Sequence, residues 1–358
     1  MRTRFVKTSF VLLAILALFS FNSCASTGLM EEDLSNYQPH SDQSLLTVMN
    51  QQDVVELTIV TQLDSLLQKR KQVDYQPADF SFLDQNGVMH NFQAKVKPRG
   101  KFRRMTCDFP PLKLKFAKTE LEAAGLSEMN ELKLVTHCLD DRDVSKGLIL
   151  REYLVYKMYN ELTPNSFRVQ LAKITYLDKN NPDYRLTRFG FLIEDEEELT
   201  WRTNGEVSKT MGTKAANLNP SHEKIASVFQ YMVSNTDWNV EMLRNLELLQ
   251  KKDGGLIPVP YDFDFSAIVA APYARPNTDV GQKRIGDRVF MGNAASAKEL
   301  YVTLSYFRSK KAALIGIVND FNLLDEVSKQ QIVEYLEGFY SEIETQESAQ
   351  LAMFGKDF

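Results

Sequence analysis

Five short runs between residues 54 and 136 have the period of strands rather than helices, and they limit what this chain can become. Residues 54–60 are rich in β-branched side chains, and 79–83 alternate apolar with polar. Asn86-Gly87 is a two-residue hairpin signal, after which 88–97 places Phe92, Ala94 and Val96 on one face. In 111–116 Leu112, Leu114 and Phe116 point one way and Lys113 and Lys115 the other, and 131–136 adds a further strand. A sheet with one apolar face is mainly antiparallel. The period then changes. Leu150, Leu154 and Met158 mark a helix over 144–162, and a polar turn at 179–183 joins strands at 166–178 and 185–193. From Ser221 the pattern is helical, with Ile225, Val228, Phe229 and Met232 in one stripe, and 297–307, 310–321 and 324–347 read as amphipathic helices. The expectation is an α+β chain of two lobes: 53–194, β-rich with one long helix, and 195–358, mainly helical.

The first 23 residues stand apart. Arg2, Arg4 and Lys7 precede an apolar run from Phe10 to Phe21, which is a secretory signal pattern too short to require a spanning helix. Phe21-Asn22-Ser23-Cys24 resembles a bacterial lipobox, so Cys24 is expected to carry the lipid, or else cleavage falls nearby and it remains a thiol. Residues 24–52 read as a flexible polar tether. Removing the signal takes three basic residues and no acids, which moves the formal charge from −5 to −8 and excludes a bulk basic field for nucleic acid. The other cysteines, Cys107 and Cys138, form an even pair, and outside the cytoplasm such a pair is expected as a disulfide. With four scattered histidines and no C-x-x-C, His137-Cys138 does not read as a zinc site.

Chemistry concentrates in residues 231–266. A helix ends, Asp237 follows in a turn, Asn245 opens an apolar strand, and Lys252-Asp253-Gly254-Gly255 supplies a hairpin turn. The return strand ends in Asp262-Phe263-Asp264. An acid in a turn, an amide and a later acid pair are what phosphoryl transfer needs. The first acid orients or accepts the attacking hydroxyl's proton, while the amide and the acids hold magnesium on the phosphates. The same residues also suit a turn and a helix cap.

The loop at 98–111 carries Arg99, Lys101, Arg103 and Arg104 around one glycine, so it can hold phosphate oxygens or can be a solvated basic loop. Lys133 lies mid-strand and Glu152 on the following helix, the chain order of a phosphate-binding lysine and its carboxylate partner. Both also suit exposed surface positions. Lys113 is the alternative phosphate contact. Glu194 opens an acidic turn where such a chain would offer groups to an adenine, or where acids simply favour a helix N-terminus.

Taken in order, RGKFRR with CDFPPLKLKF, ELKLVTHC, GFLIEDEEEL, NTDWNV and VPYDFDFS resemble secreted bacterial relatives of the spore-coat protein H (CotH) group of atypical kinases. That resemblance spans residues 54–291. It implies a bilobal protein-kinase-like fold and transfer of the ATP γ-phosphate to a protein hydroxyl with magnesium or manganese. It further implies Asp237 as the catalytic acid and Asn245, Asp262 and Asp264 as metal ligands. Lys133, Glu152, Arg99, Arg103, Lys113 and Glu194 would then lie around the nucleotide. The setting implied is the bacterial cell envelope, lipid-anchored at its periplasmic or outer-membrane face, with an envelope protein as partner. The eight-residue interval from Asp237 to Asn245 is longer than the kinase pattern, and no glycine-rich loop is present. The alternative is an inactive, pseudokinase-type scaffold lipoprotein.

Overall fold

The computed structural model describes residues 43–50, 53–252 and 255–355. The expected signal, the Cys24 lipid site, most of the tether, and Asp253 and Gly254 of the hairpin turn lie outside the described residues. Among those described, no helix is long and apolar enough to cross a membrane.

Seven strands close into a mixed barrel: β1 (Val55–Thr61), β2 (Gln76–Leu83), β3 (Met89–Pro98), β4 (Leu112–Phe116), β5 (Glu131–Val135), β6 (Val169–Asp178) and β7 (Arg185–Ile193). Their order is β1-β2-β3-β4-β5-β7-β6, and β6 returns to pair in parallel with β1. The β2–β3 connection is longer than the two-residue turn expected at Asn86-Gly87, because the Asp84 side chain organises it and the Asp84 N–H donates to the Val88 carbonyl. Asp84 Oδ1 accepts from the Asn86 and Val88 N–H groups, and Gly87 takes the positive φ of 77° that the turn requires. Inward-facing residues such as Leu57, Phe80, Phe82, Val96, Leu114, Leu134 and Tyr176 fill the barrel as one buried cluster.

This closure corrects the expectation of a bilobal protein-kinase-like fold. The start of β6 and the end of β7 are buried on both faces. Val169, Leu171, Phe191 and Ile193 turn outward into a second core shared by α5 (Arg142–Leu162), α7 (Pro220–Met232), α8 (Tyr301–Asn319), α9 (Glu326–Glu342) and α10 (Gln346–Phe354). Burial of both faces removes the period-two signal. The helical core therefore starts on the barrel's outer wall and crosses the expected boundary at residue 194, instead of forming a lobe of its own. The remaining short helices are α1 (Leu45–Met49), α2 (Leu63–Gln68), α3 (Arg103–Thr106), α4 (Lys118–Ala123) and α6 (Glu196–Thr203). A second sheet has the order β10-β9-β8, from β8 (Gly205–Ser208), β9 (Leu246–Lys251) and β10 (Leu256–Pro260).

The tether boundary also shifts. α1 buries Leu45, Leu46, Val48 and Met49, and the Ser44 hydroxyl donates to Glu198 of α6, which Arg168 also engages.

Cys107 and Cys138 are joined by a disulfide across a separation of 31 residues. In the loop-entropy treatment its removal should cost about 3–4 kcal/mol. Denaturant unfolding with and without reductant checks this, and coincident midpoints would contradict it. Next to the bridge, His137 is enclosed by Phe109 and Tyr176, and its Nδ1 has no hydrogen-bond partner among the described residues. Burial, with Arg188 adding, pushes the imidazole down from 6.5 to about 3. A depressed histidine leaves stability intact above the unfolded value and removes it as pH falls from 6.5 towards 3, by about 5 kcal/mol in all. His137→Phe is expected to flatten stability over that window, as read by unfolding midpoints at pH 7 and pH 4. An unchanged pH slope would contradict the assignment.

Candidate functional site

Three elements bring the acids together. α7 starts at Pro220, with the Asn219 side chain capping the Ser221 and His222 N–H groups, and it ends at Met232. The chain then turns through Ser234 at φ 50° to reach Asp237. Asn245 precedes β9 and itself adopts a positive φ of 52°, which asparagine tolerates better than most residues. Its Nδ2 donates to the Asp237 carbonyl at 2.7 Å and to the Asp237 carboxylate at 2.9 Å, and its carbonyl accepts from the Tyr261 N–H at 3.0 Å. The turn and the hairpin are thus locked into one unit. Asp237 stays one-third exposed, and Arg244 Nη1 lies 3.7 Å from its Oδ1. Burial pushes the Asp237 carboxyl up; Arg244 pulls it down, Asp262 pushes it further up, and Asn245 pulls it down.

Phe263 anchors the acid pair. It is fully buried, edge-on to Tyr156 at 4.8 Å and Phe229 at 5.6 Å. Asp262 before it sits at φ 62° and donates its N–H to the Tyr156 hydroxyl at 2.8 Å. Between these acids lies the guanidinium of Arg103. Its Nε donates to Asp264 Oδ2 at 2.9 Å, and its Nη2 donates to Glu152 Oε1 at 2.8 Å and Asp262 Oδ1 at 2.7 Å. Glu152 and Asp264 are almost wholly enclosed, whereas the Asp262 side chain is 37% exposed. Burial opposes the charge on Arg103, yet Asp262, Asp264 and Glu152 together hold its pKa well above the ordinary value. Burial likewise pushes Asp264 and Glu152 up, against the pull of Arg103.

The other expected residues divide into two groups. Arg99 and Lys133 line a narrow cleft with Tyr156, Phe167, Ile193, Tyr261 and Asp262. The cleft leaves no room for a water molecule between its walls, so a nucleotide enters only if they part. Lys133 does not pair with Glu152. Its Nζ lies 3.4 Å from Glu196 Oε1 and stands over the rings of Phe167 at 5.1 Å and Tyr261 at 5.7 Å. Burial and the charge of Arg99 lower its pKa. Glu152 goes to Arg103 because a planar guanidinium can serve three carboxylates at once, whereas an ammonium is a single point charge. Lys113 lies opposite Lys133 in the β4–β5 register and pairs with Glu131. Glu194 is fully enclosed, with both carboxylate oxygens taken by Arg168 and Arg202, so its side chain is a structural tie between strand and helix.

The metal-ligand set does not assemble around one centre. Asp262 and Asp264 each give an oxygen to Arg103, Asn245 turns its amide N–H towards Asp237, and no three His, Cys, Asp or Glu side chains among the described residues are arranged to hold a metal ion. Magnesium requires near-octahedral oxygens about 2.0–2.1 Å from a single point, and a guanidinium occupies that space. The observed donors therefore do not fit the ion.

Sequence reading missed Tyr156, which fixes the backbone of Asp262. It lies four residues after Glu152, hence on the same helix face, and that spacing was the available signal. Tyr261 and Phe167, the rings beneath Lys133, were missed as well.

No protein-family model matches the chain, and no curated protein matches it, so the CotH-group resemblance has no counterpart there. Among solved structures, the chain is similar to a Helicobacter pylori proinflammatory kinase, CtkA. The identity is 12% and the TM-score 0.35, and the match covers 76% of this chain and 94% of that one.

Proposed function

We propose that this protein is a phosphotransferase that moves the γ-phosphate of ATP to a hydroxyl of a partner protein, as the CotH-group resemblance implies. The observation that carries the reading is the convergence of two basic side chains, Arg99 and Lys133, with Asp262 on a single cleft, beside an Asp237 whose carboxyl is raised and still partly exposed. Phosphoryl transfer asks the protein chiefly for positioning and for charge on the phosphates. Arg99 and Lys133 would hold the phosphate oxygens, and Tyr261 and Phe167 would wall the site. Asp237, kept in place by Asn245, would take the proton of the attacking hydroxyl. Its raised pKa brings it nearer the range in which a base can accept a proton and later release it. Magnesium or manganese belongs to the expectation, but the donors do not fit the ion. A disulfide supports a setting outside the cytoplasm, as does the signal-like N-terminus.

Calorimetry of the chain with ATP and with AMP tests the phosphate contacts. ATP is expected to bind more tightly than AMP, and Lys133→Ala to weaken ATP by about tenfold to a hundredfold, the worth of a charge-assisted contact. Equal affinity for both nucleotides, or an unaffected variant, would remove Lys133 from the site.

One observation favours a non-catalytic binding role. Clustered acids are costly without a cation, and here Arg103 supplies one, so their presence does not by itself require chemistry. A stable partner retained after replacing Asp237, Asn245, Asp262 and Asp264 together would support the scaffold.

A further inference from the structure

The charge at the centre of the acid cluster is covalently part of the chain. Arg103 opens the four-residue α3, and its carbonyl accepts from the Cys107 N–H at 2.8 Å. Cys107 is bonded to Cys138, which lies just ahead of the helix that presents Glu152. On the other side, Phe102 packs edge-on against Phe265 at 5.5 Å and lies 5.9 Å from the Tyr273 ring. The segment is therefore tied to the carboxylates it serves at three points: the disulfide, the Phe102 ring and the guanidinium itself. Arg103 is 6% exposed and donates to all three acids within 2.9 Å.

We infer that Arg103 is the resident cation of this site, taking by a fixed guanidinium the place that a protein-held divalent ion would take between Asp262, Asp264 and Glu152. The chemistry follows from what a cation must do there. It offsets the mutual repulsion of three carboxylates, fixes their orientation, and leaves Asp262 partly exposed at the cleft. Arg103 does each of these with donors already in hydrogen-bond range, and its pairing leaves one positive charge facing three carboxylates. An ion entering the same space would have to displace a buried, three-way-bonded guanidinium. The inference takes these acids as part of the site proposed above, but its test reads metal uptake alone. Failure of the phosphotransfer reading would leave the result standing.

The experiment is manganese titration of the full chain without nucleotide, read by the electron-spin signal of free Mn2+. The wild type is expected to leave that signal undiminished, and Arg103→Ala to remove a signal equal to one ion per chain, lost again when Asp264→Asn is added. Arg103→Lys, which keeps a charge, should behave as the wild type. Manganese uptake by the wild type that Asp262→Asn abolishes would overturn the inference, and would mean that Arg103 is a latch the metal displaces. Absence of uptake by Arg103→Ala would overturn it too. Should the alanine variant be unfolded in metal-free buffer, manganese is expected to restore its fold, and a variant that stays unfolded with manganese also contradicts the inference.

Discussion

Replacing Asp237 by asparagine is expected to lower phosphoryl transfer by about a hundredfold to ten-thousandfold, the usual worth of a positioned general base, while ATP affinity stays within experimental error of the wild type. The separation of the two effects follows from placement. Asp237 is held by Asn245 and faces Arg244 on the turn, whereas Arg99 and Lys133, the proposed phosphate contacts, line the cleft. A group that acts only on the proton in flight lowers kcat and kcat/KM together and leaves binding alone. If the variant bound ATP much more weakly with kcat preserved, Asp237 would be a ligand-positioning residue and not the base.

The largest effect on stability is expected at Arg103. Cutting it to alanine leaves Glu152 and Asp264, both nearly inaccessible, without their partner, together with one oxygen of Asp262. Removing one member of a buried ion pair costs about 3–5 kcal/mol, because the remaining charge stays buried and unpaired. Arg103→Lys should lose less than the alanine variant but still some, since one ammonium cannot reproduce donors at both Nε and Nη2. Denaturant unfolding gives the numbers, and a loss below about 1 kcal/mol for the alanine variant would place the three carboxylates in a far wetter setting than their burial indicates.

What could be read from the sequence follows how local each cause is. β1 to β4 were legible because each keeps one face in the barrel and one outside it, so their side chains alternate. Barrel closure was not legible, because it rests on the parallel pairing of β1 with β6, from Val55 with Ala172 to Thr61 with Asp178, and no local pattern encodes a partner so far along the chain. Two helices expected at 297–307 and 310–321 are the single α8, since Ser309, Lys310 and Lys311 contain no helix breaker. In contrast, the long helix expected over 324–347 is divided at Thr345, whose side chain and Ser348 form a capping box.

The site shows the same division. Asp237, Asn245, Asp262 and Asp264 could be found together because one turn and one hairpin carry them all. The Lys133–Glu152 pairing was an inference from chain order, and chain order says nothing of competition. Arg103, 159 residues before Asp262, reaches Glu152 with a better-shaped donor, and Lys133 turns to Glu196 instead.

The most direct test of the central claim is a crystal structure of the chain with a non-hydrolysable ATP analogue. The expected result has the cleft walls parted, the phosphates against Arg99 and Lys133, and Asp237 within hydrogen-bond reach of a hydroxyl placed in line with the terminal phosphate. A nucleotide bound elsewhere on the protein, or phosphates pointing away from both basic side chains, would contradict it.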